Sequence, residues 1–140
     1  MIILDSCCGD GQSTKHFSTI HNNYVIGVDK SGYRLKPYIG PQYALIRSDI
    51  RSVWELLIRR SVALERHYLL YPCPKRDLWY KEADLIRELG GIFELRTNSL
   101  EYAIAFQEEL GGEIEKIYST PISVNDGKYE DRWRLVTDID

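Results

Sequence analysis

The first fourteen residues, M-I-I-L-D-S-C-C-G-D-G-Q-S-T, constrain the fold more than any other part of this chain. Met1 to Leu4 is an apolar run that predicts a buried parallel strand, and Asp5 closes it. Gly9 and Gly11 lack a Cβ and permit a tight turn, and the serine and threonine that follow can each cap a helix. A glycine turn between a strand and a helix can bring backbone amides against a ligand, although two glycines in such a position are often only a turn.

Two further apolar strands also end in an acidic residue. Tyr24 to Val28 runs into Asp29, and Tyr43 to Ser48 runs into Asp49. Asp29 lies 18 positions after Gly11, close to the offset of about 20 residues at which an acidic side chain meets ribose hydroxyls. Each acid alone is as readily explained as a solvated strand end. Together, the three predict carboxylates along one edge of a parallel sheet, where open α/β folds bind ligands.

The rest of the chain alternates between helical and extended patterns. The first helix is predicted at Ser13 to His21, with Phe17 and Ile20 facing the core. The later elements are, in order, a helix at Ser31 to Tyr38, a helix at Val53 to Val62, a strand at His67 to Tyr71, a helix at Asp77 to Leu89, a strand at Ile92 to Thr97, a helix at Ser99 to Leu110, and strands at Glu113 to Ser119 and Arg132 to Thr137 joined by Asn125-Asp126-Gly127. Strands that alternate with helices predict an α/β fold with a mostly parallel sheet.

This order of acids and glycines resembles the class I S-adenosylmethionine-dependent methyltransferases. Thr14 stands where a dinucleotide-binding loop has a third glycine for the pyrophosphate, and Cys7 replaces the first glycine of the methyltransferase pattern. The resemblance implies a three-layer Rossmann-like sheet of seven strands, ordered 3-2-1-4-5-7-6, with the last strand antiparallel. It also implies S-adenosylmethionine as the cofactor.

Roles in cofactor binding follow from the same resemblance. The loop would back the methionine and the ribose, Asp29 would hold the ribose hydroxyls, and Asp49 would bind the adenine amino group. The cofactor-binding residues predicted in this way are Asp5, Ser6, Cys7, Gly9, Gly11, Asp29, Lys30, Asp49, Ile50 and Tyr71.

Two later stretches are similar to the bacterial tRNA (guanine-N7)-methyltransferase family. They are Y-P-C-P-K at residues 71–75 and L-G-G-I-F-E-L-R-T-N-S-L-E-Y-A-I-A-F at residues 89–106. The similarity implies Lys75 and Cys73 as catalytic residues, with Lys75 meeting the guanine or its phosphate. The implied substrate-binding residues are Arg76, Thr97, Asn98 and Tyr102. Cys73 departs from the family, which has Asp or Asn there, and the basic cluster that usually follows is reduced to Arg76 and Lys81.

The chemistry implied is an in-line displacement at the sulfonium methyl carbon, with no metal. Guanine N7 has a free lone pair and carries no proton, so alignment and exclusion of water can supply most of the acceleration. An oxygen or amine acceptor would need a general base, and no histidine is placed for that role. Two alternatives stay open: a methyltransferase for a small molecule or a protein side chain, and a cofactor-binding interaction module without catalysis.

Length, composition and charge limit the number of domains, the compartment and the partners expected for the chain. Its 140 residues predict a single domain spanning positions 1–140, with a 44% hydrophobic share typical of a globular protein. No apolar run is long enough to span a membrane and no leader is evident, so we expect a cytoplasmic protein. Residues 1–80 carry a net charge of +4 and residues 81–140 a net charge of −7. A tRNA or other RNA partner must therefore use a local patch, and a homodimer is one way to cover the cofactor site.

The three cysteines, Cys7, Cys8 and Cys73, are expected to be reduced packing thiols. If the first and fourth strands are neighbours, the three thiols converge at the sheet edge as a redox-sensitive cluster. A zinc site is not expected, because adjacent cysteines give poor tetrahedral geometry.

Overall fold

The computed structural model describes residues 1–31, 34–121 and 129–140, apart from the side chains of residues 119–121 and 129. Its centre is one sheet of eight strands in the order β3-β4-β2-β1-β5-β6-β8-β7. The strands are β1 (Ile2–Ser6), β2 (Tyr24–Asp29), β3 (Tyr38–Ile39), β4 (Tyr43–Arg47), β5 (Leu64–Leu70), β6 (Ile92–Thr97), β7 (Glu113–Pro121) and β8 (Tyr129–Asp138).

The five central strands are parallel, and the strands at the two sides are antiparallel to their neighbours. β4, β2, β1, β5 and β6 pair in parallel, whereas β8 is antiparallel to both β6 and β7. The order of the seven predicted strands, 3-2-1-4-5-7-6, is therefore confirmed, as is the antiparallel last strand. The two-residue strand β3 extends the sheet beyond β4 and was not predicted.

Helices cover both faces of the sheet and make three layers. The helices are α1 (Gln12–Ile20), α2 (Ile50–Arg59), α3 (Ala83–Leu89) and α4 (Leu100–Leu110). α2, α3 and α4 bury Trp54, Ile86 and Phe106 with Phe93 of the sheet in the larger core. On the opposite face α1 contributes Phe17, whose ring stacks on that of Tyr68 at a centroid distance of 3.9 Å.

Three local predictions were wrong. No helix occurs at residues 34–38, where Pro37 and the following strand β3 favour an extended chain; residues 32 and 33 lie outside the described part. Ile20 is 59% exposed rather than buried, because it ends α1 beyond the last turn that contacts the sheet. The helix predicted from Asp77 begins as a 3₁₀ turn at Trp79 and becomes α-helical only at Ala83. The predicted turn at Asn125-Asp126-Gly127 lies outside the described residues.

Within the described residues, no helix has the length and apolar character needed to cross a membrane.

Candidate cofactor cavity

A cavity of about 870 Å³ lies at the carboxyl ends of the central strands. This volume falls within the range of small-molecule sites, and the position is the one where open α/β sheets bind ligands. The residues lining it are Cys7, Cys8, Gly9, Asp10, Ser13, Asp29, Lys30, Ser31, Arg34, Ile50, Leu70, Tyr71, Pro72, Cys73, Arg76, Asp77 and Trp79.

The glycine loop between β1 and α1 forms the floor of the cavity. Gly9 has a φ of +61° and Gly11 a φ of +97°, which are conformations that glycine adopts without a Cβ penalty. Cys7 has a φ of +60°, which is uncommon for a residue with a side chain. It stands where the methyltransferase pattern has its first glycine, so the backbone keeps the glycine conformation although the glycine is absent.

Asp29 fixes this loop to the next strand. One carboxylate oxygen accepts a 2.8 Å hydrogen bond from the Gly9 amide, and the other accepts a 2.9 Å bond from the Ser31 amide. A carboxylate oxygen can accept more than one hydrogen bond, so Asp29 keeps acceptor capacity toward the cavity. The side chain is thus oriented by backbone donors before any ligand arrives.

Asp5 lies beneath the loop and is completely buried. Its Oδ2 accepts hydrogen bonds from the hydroxyls of Ser13, at 2.6 Å, and Thr14, at 2.8 Å. Burial raises the pKa of Asp5 to about 6, against the lowering effect of these two bonds, and the charge of Asp29 adds to the rise. Asp5 joins the end of β1 to the first turn of α1, and it does not line the cavity.

The wall opposite Asp29 is the chain that leaves β5. Here the Cys73 amide donates to Asp77 Oδ2 at 3.0 Å, and the Asp77 amide donates to the Cys73 carbonyl at 2.7 Å, which closes a compact loop. Arg76 donates to both oxygens of the Asp77 carboxylate. Burial alone would raise the pKa of Asp77, but the bonds from Arg76 and the Cys73 amide outweigh it, so the pKa is lowered and Asp77 is ionised at neutral pH.

The three cysteines are free thiols. Cys7, Cys8 and Cys73 all line the cavity, so strands β1 and β5 bring them to one edge of the sheet as expected. Burial and the nearby carboxylates of Asp77, Asp29 and Asp5 raise the pKa of Cys7, and burial, with Asp5 next, raises the pKa of Cys8 to about 12. Both thiols therefore stay protonated near neutral pH, which makes them poor nucleophiles.

The structure brings half of the predicted site residues to this cavity. These are Cys7, Gly9, Asp29, Lys30, Ile50, Tyr71, Cys73 and Arg76.

Two predicted cofactor-binding side chains are used elsewhere. Ser6 is buried in the larger core, where its hydroxyl accepts from Trp54 Nε1 at 2.9 Å and lies 2.9 Å from His67 Nε2. Burial lowers the pKa of His67 to about 3, so this core histidine is neutral. Asp49 is the N-cap of α2, and its Oδ2 accepts from the Ser52 amide and hydroxyl. Asp49 does not line the cavity, but the next residue, Ile50, does.

The predicted substrate-binding residues at the end of β6 do not line the cavity either. Thr97 is buried and accepts from the Ser99 amide, while Asn98 donates to Glu130. Tyr102 is buried too, but its hydroxyl donates to the Asp77 carbonyl, so it supports the wall from behind. Lys75 is exposed and does not line the cavity, whereas the next residue, Arg76, is also exposed but does line it. Gly11, as the N-cap of α1, lies just outside the lining.

Sequence reasoning missed several lining residues, of which Asp77 is the most informative. Its signal was present, since an acid four residues after Cys73 can close a turn onto that amide. Arg34 and Trp79 had no comparable signal, because they reach the cavity through segments whose helices were predicted wrongly.

The lining suits a ligand with both polar and apolar parts. Asp29 offers acceptors for hydroxyls, the Cys7–Gly9 backbone offers a close approach, and Ile50 offers an apolar contact for a planar ring. These features fit the nucleoside and amino-acid parts of S-adenosylmethionine.

Comparison with known proteins agrees with this fold. No family model matches the sequence. The chain is 34% identical over 111 residues to the tRNA (guanine-N(7)-)-methyltransferase of Wolinella succinogenes; the match covers 65% of this chain and 26% of the relative. The chain therefore spans about a quarter of that relative's length.

Solved structures described as methyltransferases share the fold. A SAM-dependent methyltransferase from Agrobacterium tumefaciens has a TM-score of 0.69 at 13% identity, covering 96% of this chain and 55% of that one. The C-terminal domain of precorrin-6Y C5,15-methyltransferase from Rhodobacter capsulatus has a TM-score of 0.67 at 12% identity, covering 96% and 78%. An rRNA methylase from Streptococcus thermophilus has a TM-score of 0.59 at 13% identity, covering 99% and 87%. The chain has the Rossmann-like fold of class I methyltransferases, and the resemblance drawn from its sequence is confirmed at the level of fold.

Proposed function

We propose that this chain binds S-adenosylmethionine in the cavity and transfers its methyl group to a guanine of RNA, with N7 as the attacking atom. The observation that carries the cofactor proposal is the Asp29 carboxylate, held by the Gly9 and Ser31 amides at the rim of a cavity of suitable volume. The RNA acceptor is supported by the similarity to the tRNA (guanine-N(7)-)-methyltransferase.

In this proposal the two ends of the cavity have different roles. Asp29 on β2 and Ile50 on α2 hold the adenosine, and the Cys7–Gly9 backbone on β1 lies against the methionine portion. Because β5 follows β1 in the sheet, the wall at Tyr71, Cys73 and Asp77 then borders the sulfonium methyl group. When bound, S-adenosylmethionine supplies an electrophilic methyl carbon with a neutral thioether as leaving group.

The chain's own contribution to the reaction is positioning. An N7 lone pair needs no base, so the wall residues have to align the acceptor and exclude water. The ionised Asp77 carboxylate can accept hydrogen bonds from N–H groups of an acceptor base. The thiols of Cys7 and Cys8, held protonated by their raised pKa values, do not compete as nucleophiles for the methyl group.

Methyl transfer tests this proposal directly. Purified wild-type protein and Asp29→Ala are incubated with S-adenosylmethionine carrying a labelled methyl group and with unmodified bulk tRNA, followed by digestion and nucleoside analysis. We expect 7-methylguanosine from the wild type and at least about a tenfold lower rate from Asp29→Ala at subsaturating cofactor, since the ribose contacts are lost. Cofactor binding without methylated RNA would refute the RNA acceptor, and label in another acceptor would identify the class that replaces it.

A further inference from the structure

Three side chains from separate segments of the chain meet beside the β5 wall of the cavity. Tyr71 follows β5 directly, Tyr118 belongs to β7 and Arg132 belongs to β8. The two tyrosine hydroxyls lie 3.2 Å apart, and the guanidinium carbon of Arg132 lies 5.2 Å from the centre of the Tyr71 ring. Although they contact one another, Tyr71 is 41% exposed and Tyr118 is 53% exposed. We call these three residues the tyrosine platform.

An unusual backbone conformation sets the position of Tyr71. Its φ is +51°, a region that bulky side chains rarely adopt. The conformation is held in place because the Tyr71 amide donates a 2.7 Å hydrogen bond to the Arg96 carbonyl of β6 and the next residue, Pro72, is buried. Strain of this kind persists only where the surroundings impose it, and it is concentrated at ligand sites.

A β-bulge sets the position of Tyr118. Lys116 pairs with Trp133, but Tyr118 pairs with Arg132, so Ile117 is an extra residue in β7. In regular pairing Ile117 would stand opposite Arg132, and Tyr118 would point to the other face of the sheet. The bulge therefore turns Tyr118 toward Arg132 and Tyr71, which is how bulges re-aim side chains next to functional sites.

The platform lies on the acceptor's side of the cavity. Asp29 is on β2, and the sheet continues from there through β1, β5, β6 and β8 to β7. With the adenosine at the β2 end, the platform lies beyond the methyl-transfer end. Tyr71 is shared by both, because it also lines the cavity.

We propose that the tyrosine platform binds an unpaired base of single-stranded RNA by stacking and thereby presents a nucleotide to the cavity. Exposed aromatic rings bind bases through their π-faces, and an arginine adds both stacking and attraction for the neighbouring phosphate. Arg132 is mostly buried, with 21% of its side chain exposed, and it places a positive charge over the Tyr71 ring and 3.4 Å from Glu130. The inference rests on the proposed function for which end of the cavity receives the acceptor.

Binding of RNA with and without bases tests the platform. The probes are a short fluorescent single-stranded RNA containing guanosine and an abasic RNA of equal length and charge, titrated with and without S-adenosylhomocysteine. We expect the wild type to bind the base-bearing RNA about tenfold more tightly than the abasic RNA. Tyr118→Ala should lose most of this preference, whereas Tyr118→Phe should keep it because stacking needs the ring and not the hydroxyl.

The control is Tyr38→Ala. It removes a tyrosine that is 43% exposed on β3, the strand at the opposite edge of the sheet from β7. This variant should keep the wild-type preference. If Tyr118→Ala, folded as judged by circular dichroism, binds both RNAs like the wild type, or if the wild type does not distinguish them, the platform is refuted. A failure of the proposed function would give a different result from a failure of the platform. In that case S-adenosylhomocysteine would not bind, but the protein would still prefer base-bearing RNA.

Discussion

Asp5 shows how one buried carboxylate links the glycine loop to protein stability. Its Oδ1 has no hydrogen-bond partner among the residues that the structure describes, while Oδ2 accepts from Ser13 and Thr14. The ionised form is therefore under-solvated, and burial raises the pKa from 3.8 to about 6. Because the folded-state pKa is the higher one, the folded protein binds the proton more tightly than the unfolded chain does. The contribution of Asp5 protonation to the free energy of unfolding is therefore largest below about pH 4 and is lost as the pH rises through about 6.

Asp5→Asn tests this linkage, because asparagine keeps the shape and removes the titration. We expect the free energy of unfolding of the wild type, relative to the variant, to fall by about 2.4 kcal/mol between pH 4 and pH 7, because each pKa unit corresponds to about 1.36 kcal/mol and part of the change occurs below pH 4. Urea denaturation of both proteins across this range measures the difference. A difference that does not change with pH would contradict the buried, perturbed carboxylate. Asp49→Asn is the matched control, since Asp49 is exposed at the start of α2.

At the scale of elements, the site depends on how closely α1 approaches β2. Gly27 of β2 faces Thr14 of α1, and a Cβ at position 27 would overlap the Thr14 hydroxyl. The absence of that Cβ lets Thr14 reach Asp5 and lets α1 begin directly behind the loop. The glycine was visible in the sequence as part of an apolar strand, but its partner was not, because helix-to-strand packing pairs residues far apart in the chain.

Gly27→Ala should destabilise the protein by about 2 kcal/mol, the usual cost of overpacking a tight contact. Thr14→Ala should also destabilise it, by losing the bond to Asp5. The double variant should be more stable than the sum of the two single effects predicts, because removing the Thr14 hydroxyl makes room for the Cβ at position 27. Chemical denaturation of the wild type, the two single variants and the double variant gives the four free energies of unfolding that this double-mutant cycle needs. Additive effects would show that the two residues do not share this contact.

For the whole molecule, the sequence predicted the sheet better than the site. Apolar runs predicted the seven main strands, and the resemblance to methyltransferases implied their order, which the sheet confirms. Of the two acids predicted from strand ends to bind the cofactor, Asp29 lines the cavity, whereas Asp49 caps α2 and does not line it. Asp29 ends β2 and Asp49 follows β4, and only the three-dimensional path of the next segment decides which side chain lines the cavity.

At the end of β5, too, the sequence did not determine which side chains line the cavity. The resemblance implied site roles for Cys73, Lys75 and Arg76, and of these Cys73 and Arg76 line the cavity. The turn that Asp77 closes onto the Cys73 amide leaves Lys75 exposed, and side-chain contacts of this kind are invisible to periodicity. Tyr118 was unpredictable for a related reason, since a bulge of one residue reverses which face of the sheet it occupies.

The measurement that tests the central claim most directly is calorimetric titration with S-adenosylhomocysteine of the wild type, Asp29→Ala and Asp49→Ala. We expect micromolar binding by the wild type, a loss of at least about tenfold in Asp29→Ala, and nearly unchanged affinity in Asp49→Ala, because only Asp29 faces the cavity. Circular dichroism confirms that the variants are folded. No wild-type binding at about 1 mM ligand, equivalent to about 4 kcal/mol or less, or wild-type affinity in Asp29→Ala, would contradict the proposed cofactor site.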